Sequence, residues 1–214
     1  MGAIFLVRHG QASWGKADYD ELSSRGEEQA RQLGYAWEAA GWLPTTAASG
    51  SMQRHHQTAL NALAAAGQND GYDVDHGWDE FDHEAVMEAQ IPGFQTNDPR
   101  AFQDAFIQAT DRWAAGGSDG EHESFAEFSE RVLGAFERLV ATAGRGETSV
   151  VFTSGGPIAI VAACLLTGDT RLWSTLNSVV INTGVTKIVT GRSGRTLLSF
   201  NEHGHLPSDQ VTYR

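Results

Sequence analysis

Cysteine and proline are scarce in this chain, and long apolar runs are missing. Its 214 residues include one cysteine and five prolines. A single cysteine excludes an internal disulfide framework and is typical of a reducing compartment. Cys164 lies in residues 158–166, the longest apolar run, which is too short to span a membrane and predicts a buried thiol rather than a nucleophile. No charged segment precedes the first apolar run as it does in secretory signals, so we expect a cytoplasmic protein.

Positive charge is also in short supply. The chain has 15 lysines and arginines against 27 aspartates and glutamates, which gives a net charge of −12 with neutral histidines. This surplus of negative charge disfavours nucleic acid and anionic membranes as partners. An anionic ligand would have to be held by a few arginines focused in one cleft. The length of the chain predicts one domain.

The most informative segment is residues 4–10, where an apolar run ends in Arg8-His9-Gly10. The run predicts a short buried strand, which would carry Arg8 and His9 to the carboxyl edge of a sheet. Open α/β sheets bind their ligands at that edge. A fixed cation beside an imidazole suits an anionic group that the imidazole attacks or holds. Taken alone, the same three residues also describe a surface histidine on a loop.

Predicted strands and helices alternate over most of the chain. Capping residues and apolar spacing predict helices at 25–40, 51–66, 124–143 and from 155 onward. Strands are predicted at 46–49, 72–75, 148–153, 179–189 and 196–200. Residues 76–120, which include Pro92 and Pro99 as breakers, are predicted to be irregular or short-helical. The alternation predicts an α/β fold with a mostly parallel sheet and helices on both faces.

Further motifs follow the N-terminal segment in a recognisable order. They are residues 22–30, Arg54-His55-His56-Gln57-Thr58-Ala59, Asp79-Glu80-Phe81-Asp82 and Thr153-Ser154-Gly155-Gly156. In order and spacing, residues 4–205 resemble the histidine phosphatase superfamily, also called the phosphoglycerate mutase-like family. The resemblance implies a three-layer α/β/α sandwich in one domain, with a small helical cap insertion at about 82–122. It also implies an enzyme that needs no metal and no other cofactor.

The resemblance assigns the main chemical roles. His9 matches the family nucleophile, which forms a phosphohistidine intermediate and must be neutral at the attacking nitrogen. Arg8 and Arg54 match phosphate ligands, and a guanidinium group suits this role because its fork binds two oxygens at once. Arg54 also lies at the start of a predicted helix, whose N-terminus adds partial positive charge.

Glu80 is the candidate for the acid and base. It matches the first position of the glutamate motif in the phosphatase branch, although Glu84 stands where that motif has a glycine. Asp79, Asp82 and Glu84 are rivals for the role. A useful acid needs a raised pKa, and we expect repulsion from these neighbouring carboxylates to help raise it.

The chain departs from the family pattern in its phosphate pocket. Ser154 stands where the family has a histidine, and a hydroxyl carries no charge. A charged hydrogen bond contributes about 1.5–3 kcal/mol and a neutral one about 0.5–1.5 kcal/mol, so the exchange predicts a loss of roughly tenfold in rate. Gly15 stands where many members have an asparagine that touches phosphate. Gln11, which follows Arg-His-Gly, and Ser13 are the candidates for additional phosphate contacts.

Other histidines are candidates to replace the missing imidazole. His55 and His56 diverge on a helix, so at most one faces the cleft. His203 and His205 follow the last predicted strand, and His205 is the possible site residue of the two. No histidine shows the spacing of a zinc site. Trp14, near His9, is a candidate for the rim of the site, and the aromatic residues between 78 and 113 are candidates for a cap over it.

These residues predict a phosphatase that hydrolyses a small-molecule phosphomonoester through phospho-His9. The enzymatic alternative is mutase-like phosphoryl transfer, although Arg100 and Arg112 are the only arginines between residues 55 and 130 and neither lies in a recognisable motif. The other alternative is a low-turnover, phosphate-ligand-binding or regulatory protein. Ser154 is the best support for that reading, and the intact Arg8, His9, Arg54 and Glu80 oppose it.

Overall fold

A computed structural model describes residues 1–13, 20–117, 122–144, 146–192 and 194–213. Its strands form one six-stranded sheet in the order β3-β2-β4-β1-β5-β6. The strands are β1 (Gly2–Arg8), β2 (Thr46–Ser49), β3 (Asp73–Val74), β4 (Thr148–Thr153), β5 (Val185–Gly191) and β6 (Gly194–Glu202). The helices are α1 (Ser24–Ala39), α2 (Gln53–Ala65), α3 (His83–Gln90), α4 (Pro99–Ala114), α5 (Phe125–Thr142), α6 (Gly155–Thr167) and α7 (Trp173–Asn177).

The first four strands of the sheet order run parallel. β1 pairs with β4, β4 with β2 and β2 with β3, whereas β5 pairs antiparallel with both β1 and β6. In this register Arg8 lies opposite Thr153, and Ser49 lies opposite Phe152. The segments that follow β1, β2 and β4 therefore leave the sheet at the same edge. The predicted mostly parallel sheet is confirmed.

Apolar side chains of the central strands pack against helices on both faces of the sheet. Ile4, Leu6 and Val151 belong to one core cluster, with residues of α5 and α6. Val7 and Phe152 belong to a second cluster, with residues of α1 and α2. Side chains alternate between the faces of a strand, so two separate cores show that helices cover both faces. Within the described ranges, no helix is both long enough and apolar enough to cross a membrane.

Two helix starts confirm the predicted capping. The Ser23 hydroxyl accepts a hydrogen bond from the amide of Gly26 at the start of α1. At α5, Ser124 accepts from the Glu127 amide while the Glu127 carboxylate accepts from the Ser124 amide, which is a capping box. These side chains satisfy amides that the first helical turn leaves without a partner, and they set the helix boundaries.

The segment 76–120 is more regular than predicted. It contains α3 and the 16-residue α4, which pack against each other through Met87, Ala105 and Ala109. Pro99 does not break a helix, because it stands in the first turn of α4, where its missing amide has no helical partner to lose. Asp98 caps this turn by accepting from the Arg100 amide.

The prediction of a strand over 179–189 is wrong for its first half. β5 begins only at Val185, and Trp173–Asn177 forms α7. Thr183 has a φ of 58°, a left-handed conformation that interrupts any extended segment. Its amide donates to the carbonyl oxygens of Arg8 and His9 at 3.0 and 3.3 Å, so this turn packs against the end of β1.

Glycine allows the loop after β1 to lie directly on α1. A β-carbon on Gly10 would fall 2.3 Å from the carbonyl oxygen of Gly26. A β-carbon on Gly26 would fall 2.2 Å from the carbonyl oxygen of Gln11. Both distances are far below van der Waals contact, and backbone atoms cannot rotate away. The Arg-His-Gly segment therefore needs glycine at both positions.

We predict that Gly26→Ala lowers the free energy of unfolding by about 1–3 kcal/mol, because the new methyl group displaces the Gln11 backbone. Gly134→Ala is the matched control inside α5. Its β-carbon would approach nothing closer than the Arg138 guanidinium at 3.5 Å. This control should raise stability by about 0.5–1 kcal/mol, since alanine is the better helix former. Urea denaturation measures both, and equal stability of Gly26→Ala and the parent would contradict the packing argument.

Candidate active site

His9 lies at the carboxyl end of β1 with its imidazole almost fully buried. Its Nδ1 is 2.7 Å from the carbonyl oxygen of Gly10. A carbonyl can only accept, so Nδ1 carries the proton and Nε2 keeps its lone pair. Burial, followed by the charges of Arg54 and Arg8, holds the pKa of His9 well below its ordinary value. The imidazole is therefore neutral and presents Nε2 as a nucleophile.

The backbone of His9 is held from two sides. Its amide donates to the Thr153 carbonyl at 2.8 Å, which continues the pairing of β1 with β4. Its carbonyl oxygen accepts from the Asn182 side-chain amide at 3.0 Å. Thr183 contributes its amide from a left-handed conformation that is unusual for a β-branched residue. Sequence reasoning missed Asn182 and Thr183, because the predicted strand ran through them.

Two arginines border the same cavity as His9. Arg8 donates from Nη1 to the carbonyl oxygens of Val180 and of Tyr213, the latter at 2.9 Å. Arg54 lies in the first turn of α2, as predicted, and its Nη1 is 2.7 Å from Asp20 Oδ1. Both guanidinium charges help to lower the pKa of His9.

The motif around Arg54 also fixes the position of α2. Thr58 Oγ1 accepts from the Gly10 amide at 3.0 Å and donates to the Arg54 carbonyl at 2.7 Å. Gln57 Oε1 accepts from the Leu22 amide at 2.7 Å. These bonds tie the helix that carries Arg54 to the loop that carries His9. The Gln-Thr pair of the motif is therefore structural, and it sets the distance between the two functional groups.

Glu80 is partly buried and lines the same cavity. Its Oε2 accepts from the Gly156 amide at 3.0 Å. Burial raises the pKa of Glu80, while that amide and the charges of Arg54 and Arg8 oppose the rise. A carboxyl group whose pKa is raised in this way can carry a proton to a leaving group.

The expected cause of this raised pKa is wrong, because burial produces it and repulsion between carboxylates does not. Asp79 is turned toward Ser51, whose amide and hydroxyl both donate to it at 2.6 Å. Asp82 caps α3, and Glu84 is exposed. Among the cavity-lining residues that the structure describes, Glu80 is the only carboxylate.

The cavity has a volume of about 600 Å³ and two chemically different parts. Its charged part is formed by Arg8, His9, Arg54 and Glu80. Apolar side chains line the other part, namely Phe81, Phe102, Phe106, Ile107 and Trp173. Neutral polar groups, including Gln103, Thr110, Thr175 and Asn177, also line the cavity.

Only part of the aromatic set predicted to cover the site lies at the cavity. Phe102 and Phe106 line it, whereas Trp78 and Trp113 are fully buried in the core. The sequence did contain a signal for α4, because Phe102, Phe106 and Trp113 recur at helical spacing. It was overlooked because Pro99 and the glycines after the segment indicated irregular structure.

Ser154, at the N-terminus of α6, is fully buried against His55. Ser154 Oγ is 2.7 Å from His55 Nε2, and the ring centroids of His55 and His9 are 5.8 Å apart. His56 lies on the other side of the helix, where its Nδ1 is 3.1 Å from the Tyr72 hydroxyl. The predicted divergence of the two histidines is confirmed, and His55 is the one beside the site.

The remaining candidates bind elsewhere. The Gln11 side chain accepts from the Ser23 hydroxyl at 3.1 Å, and the Ser13 hydroxyl donates to the Leu22 carbonyl at 3.0 Å. His205 Nε2 is 3.0 Å from the Thr183 hydroxyl, and burial lowers its pKa to about 4. None of these three side chains is among the described residues that line the cavity, so their roles stay predictions.

The last sequence candidates are Trp14, Gly15 and His203. Trp14 and Gly15 lie outside the described residues. His203, in contrast, is exposed and donates to the Asn201 carbonyl. Within the described part of the chain, no three histidine, cysteine or acidic side chains are grouped closely enough to hold a metal ion.

Comparisons with known proteins identify the family of the chain. The family model of the histidine phosphatase superfamily (branch 1) matches residues 4–203. Among curated proteins, no sequence matches the chain significantly.

Several solved structures share the fold. A mutant phosphoserine phosphatase from Entamoeba histolytica in complex with phosphoserine superposes with a TM-score of 0.72 at 18% identity, covering 97% of this chain and 100% of that one. A mycobacterial glucosyl-3-phosphoglycerate phosphatase in complex with VO3 gives 0.71 at 20%, covering 94% and 99%. A phosphoglycerate mutase from Bacillus anthracis gives 0.68 at 20%, covering 95% and 94%. Since the family model spans nearly the whole chain, the protein belongs to branch 1 of the histidine phosphatase superfamily.

Proposed function

We propose that the protein is a metal-independent phosphatase that hydrolyses a small phosphomonoester through a phosphohistidine on His9. The observation that carries the proposal is the pairing of a neutral imidazole, protonated on Nδ1, with a partly buried carboxyl group of raised pKa at one cavity. Such a pair provides a nucleophile and an acid at the same pH. The solved relatives that hold phosphoserine and VO3 support a small phosphorylated ligand.

The reaction has two steps. In the first, His9 Nε2 attacks the phosphorus atom, the P–O ester bond breaks, and the carboxyl group of Glu80 gives its proton to the leaving alcohol oxygen. In the second, Glu80 takes a proton from water, the water oxygen attacks phosphorus, and the P–N bond breaks with its electron pair returning to Nε2. Arg8 and Arg54 bind the equatorial phosphoryl oxygens in both steps.

The apolar part of the cavity supports a substrate with an aromatic or branched apolar alcohol. Phe102, Phe106 and Ile107 project from α4 into the space that the leaving group would occupy. We therefore propose that residues 82–122 form a cap whose described helices, α3 and α4, select the alcohol. We also propose that the enzyme acts in the cytoplasm, which the single cysteine supports.

A mutase would use the same first step but pass the phosphoryl group to a second hydroxyl instead of water. A regulatory protein would bind phosphate with little turnover. Release of inorganic phosphate from a panel of phosphomonoesters tests the proposal against both. A mutase would yield an isomeric ester, and a binding protein would yield no product while retaining affinity for phosphate.

We predict that His9→Ala reduces phosphate release by at least about a thousandfold, because it removes the attacking lone pair at the end of β1. The parent, quenched in alkali during turnover, should carry acid-labile phosphate at His9. His56→Ala is the control, because His56 lies on α2, close to Arg54 along the chain, but contacts Tyr72 instead. Phosphate release by His9→Ala close to that of the parent would overturn the assignment.

For Glu80→Gln, we predict a loss of about 10²–10⁴-fold with alkyl phosphates, whose leaving groups need a proton. With p-nitrophenyl phosphate, the variant should show a burst of nitrophenolate followed by slow turnover, because only the second step then needs the base. In the parent, kcat/KM for alkyl phosphates should fall as pH rises through the Glu80 pKa, which lies above its ordinary 4.5. A Glu80→Gln profile with the same alkaline limb would exclude Glu80 as the acid.

The cap predicts a preference among alcohols. Benzyl phosphate should show a higher kcat/KM than glycerol phosphate, and Ile107→Ala should lower the benzyl value by roughly two- to tenfold. Ile107 is 41% exposed, so its truncation costs little stability. Leu60→Ala, at an exposed position on α2 that does not line the cavity, is the control. Equal loss for both substrates in Ile107→Ala would contradict a role in selecting the alcohol.

A further inference from the structure

The imidazole of His55 lies next to His9. His55 belongs to α2, whereas the resemblance implies a histidine at position 154, which follows β4. The side chain of His55 is fully buried and lies beside His9, with ring centroids 5.8 Å apart. Its Nε2 is 2.7 Å from Ser154 Oγ. Ser154 directly follows Thr153, the strand partner of Arg8, and directly precedes Gly155, which lines the cavity. The serine thus contacts His55 directly and adjoins, along the chain, a residue that lines the cavity.

The hydrogen-bonding pattern of His55 shows where its proton lies. Nδ1 is buried and has no hydrogen-bond partner among the described residues, and its nearest charged neighbour, Asp79 Oδ1, is 3.9 Å away. Burial, with the charges of Arg54 and His56, holds the pKa of His55 well below its ordinary value, so the ring is neutral. A neutral imidazole places its single proton where an acceptor is present. The proton is thus on Nε2, and it is donated to Ser154 Oγ.

This donation sets the direction of the serine hydroxyl. Once Oγ accepts from His55, its own proton has to point elsewhere, and Ser154 makes no hydrogen bond that caps α6. A hydroxyl that accepts from one donor becomes a better donor itself, because chains of hydrogen bonds polarise one another. Among the described contacts of Ser154 Oγ, none accepts this proton, and the next residue along the chain, Gly155, lines the cavity.

The surrounding chain makes room for this ring. A β-carbon on Gly50 would lie 2.3 Å from His55 Nδ1. Asp79, on the same side, is held away from hydrogen-bonding distance by Ser51, whose amide and hydroxyl donate to its two carboxylate oxygens. A core histidine with a purely structural role would be expected to have both ring nitrogens satisfied. Here one nitrogen is left without a partner while the other is directed at Ser154.

We propose that His55 is a positioning residue for phosphoryl transfer, which orients the Ser154 hydroxyl so that it donates to a phosphoryl oxygen bound at His9. The pair replaces the imidazole that the family pattern has at position 154, with the ring supplied from α2 and the contact to phosphate made by the serine. The inference rests on the proposed function, because it concerns the same phosphoryl site.

The first test compares three variants in steady-state kinetics with p-nitrophenyl phosphate. His55→Gln retains an amide donor near Nε2 and should lose only about two- to threefold in kcat. His55→Leu and Ser154→Ala should each lose roughly tenfold in kcat with KM nearly unchanged. The double variant should lose no more than either single variant, because both remove one interaction. Additive losses, or a kcat for folded His55→Leu within twofold of the parent, would overturn the proposal.

The second test moves the imidazole. Ser154→His alone should be impaired, since the new ring meets His55 at the 2.7 Å contact. Ser154→His combined with His55→Ala should recover at least about tenfold of kcat relative to His55→Ala alone. This result separates a role at the phosphoryl group from a role in core packing, which the exchange would not restore. Failure of the folded double variant to exceed His55→Ala would overturn the proposal. His56→Gln is the control on the outer face of α2.

Orthovanadate binding, measured by calorimetry, keeps this inference distinct from the proposed function. Vanadate occupies a phosphoryl site without turnover, so it reports on the pair even if the parent releases no phosphate. We expect His55→Leu and Ser154→Ala each to weaken vanadate binding by about five- to tenfold, with circular dichroism and melting curves confirming that both are folded. Unchanged vanadate affinity in both variants would refute the pair. An inactive parent with these affinity losses would refute only the phosphatase.

Discussion

The parallel pairing of β1 with β4 is the constraint on which the site depends. It places Arg8 opposite Thr153 and continues past the strand into the bond from the His9 amide to the Thr153 carbonyl. The segments after both strands therefore emerge side by side at the carboxyl edge of the sheet. Both faces of these strands are covered by helices, so groups at their ends are buried as well. This burial shifts the pKa values of His9 and Glu80, which set their protonation states.

Burial moves the pKa values of His9 and Glu80 in opposite directions, and both shifts favour the neutral forms. The imidazole loses affinity for a proton and the carboxyl group gains it. The two arginines strengthen the first shift and oppose the second, so Glu80 has a raised pKa despite them. These local charges explain how an acidic chain can still attract an anionic ligand to this cavity. The net charge of −12 belongs to the chain as a whole, whereas the cavity has two guanidinium groups and a carboxyl group that favours its neutral form.

Sequence reasoning predicted the fold where the local signals were strong. The sheet class, β2, β4, α1 and α5 follow from apolar periodicity and from caps such as Ser23 and Ser124. It also named the residues that meet at the cavity, because Arg8, His9, Arg54 and Glu80 belong to short motifs with fixed spacing. It fails at α4, because Pro99 indicates a helix breaker but stands in a first helical turn. It also fails before β5, because the apolar pattern does not reveal the left-handed conformation of Thr183.

The contact between Ser154 and His55 shows why the role of one residue cannot be predicted without its neighbours from other elements. Along the chain, the resemblance implies only that Ser154 replaces an imidazole, and His55 is simply the residue after Arg54. The contact between them joins positions that are 99 residues apart, and no local pattern links the two. Gly50 also borders this contact, since any β-carbon there would overlap the His55 ring.

The buried position of His55 lowers the stability of the fold, because its Nδ1 is desolvated without a hydrogen-bond partner among the described residues. Core packing alone does not explain a histidine here, since leucine would fill a similar volume without a buried polar atom. The proposed role of the Ser154 hydroxyl in phosphate binding would account for the position of the ring that contacts it.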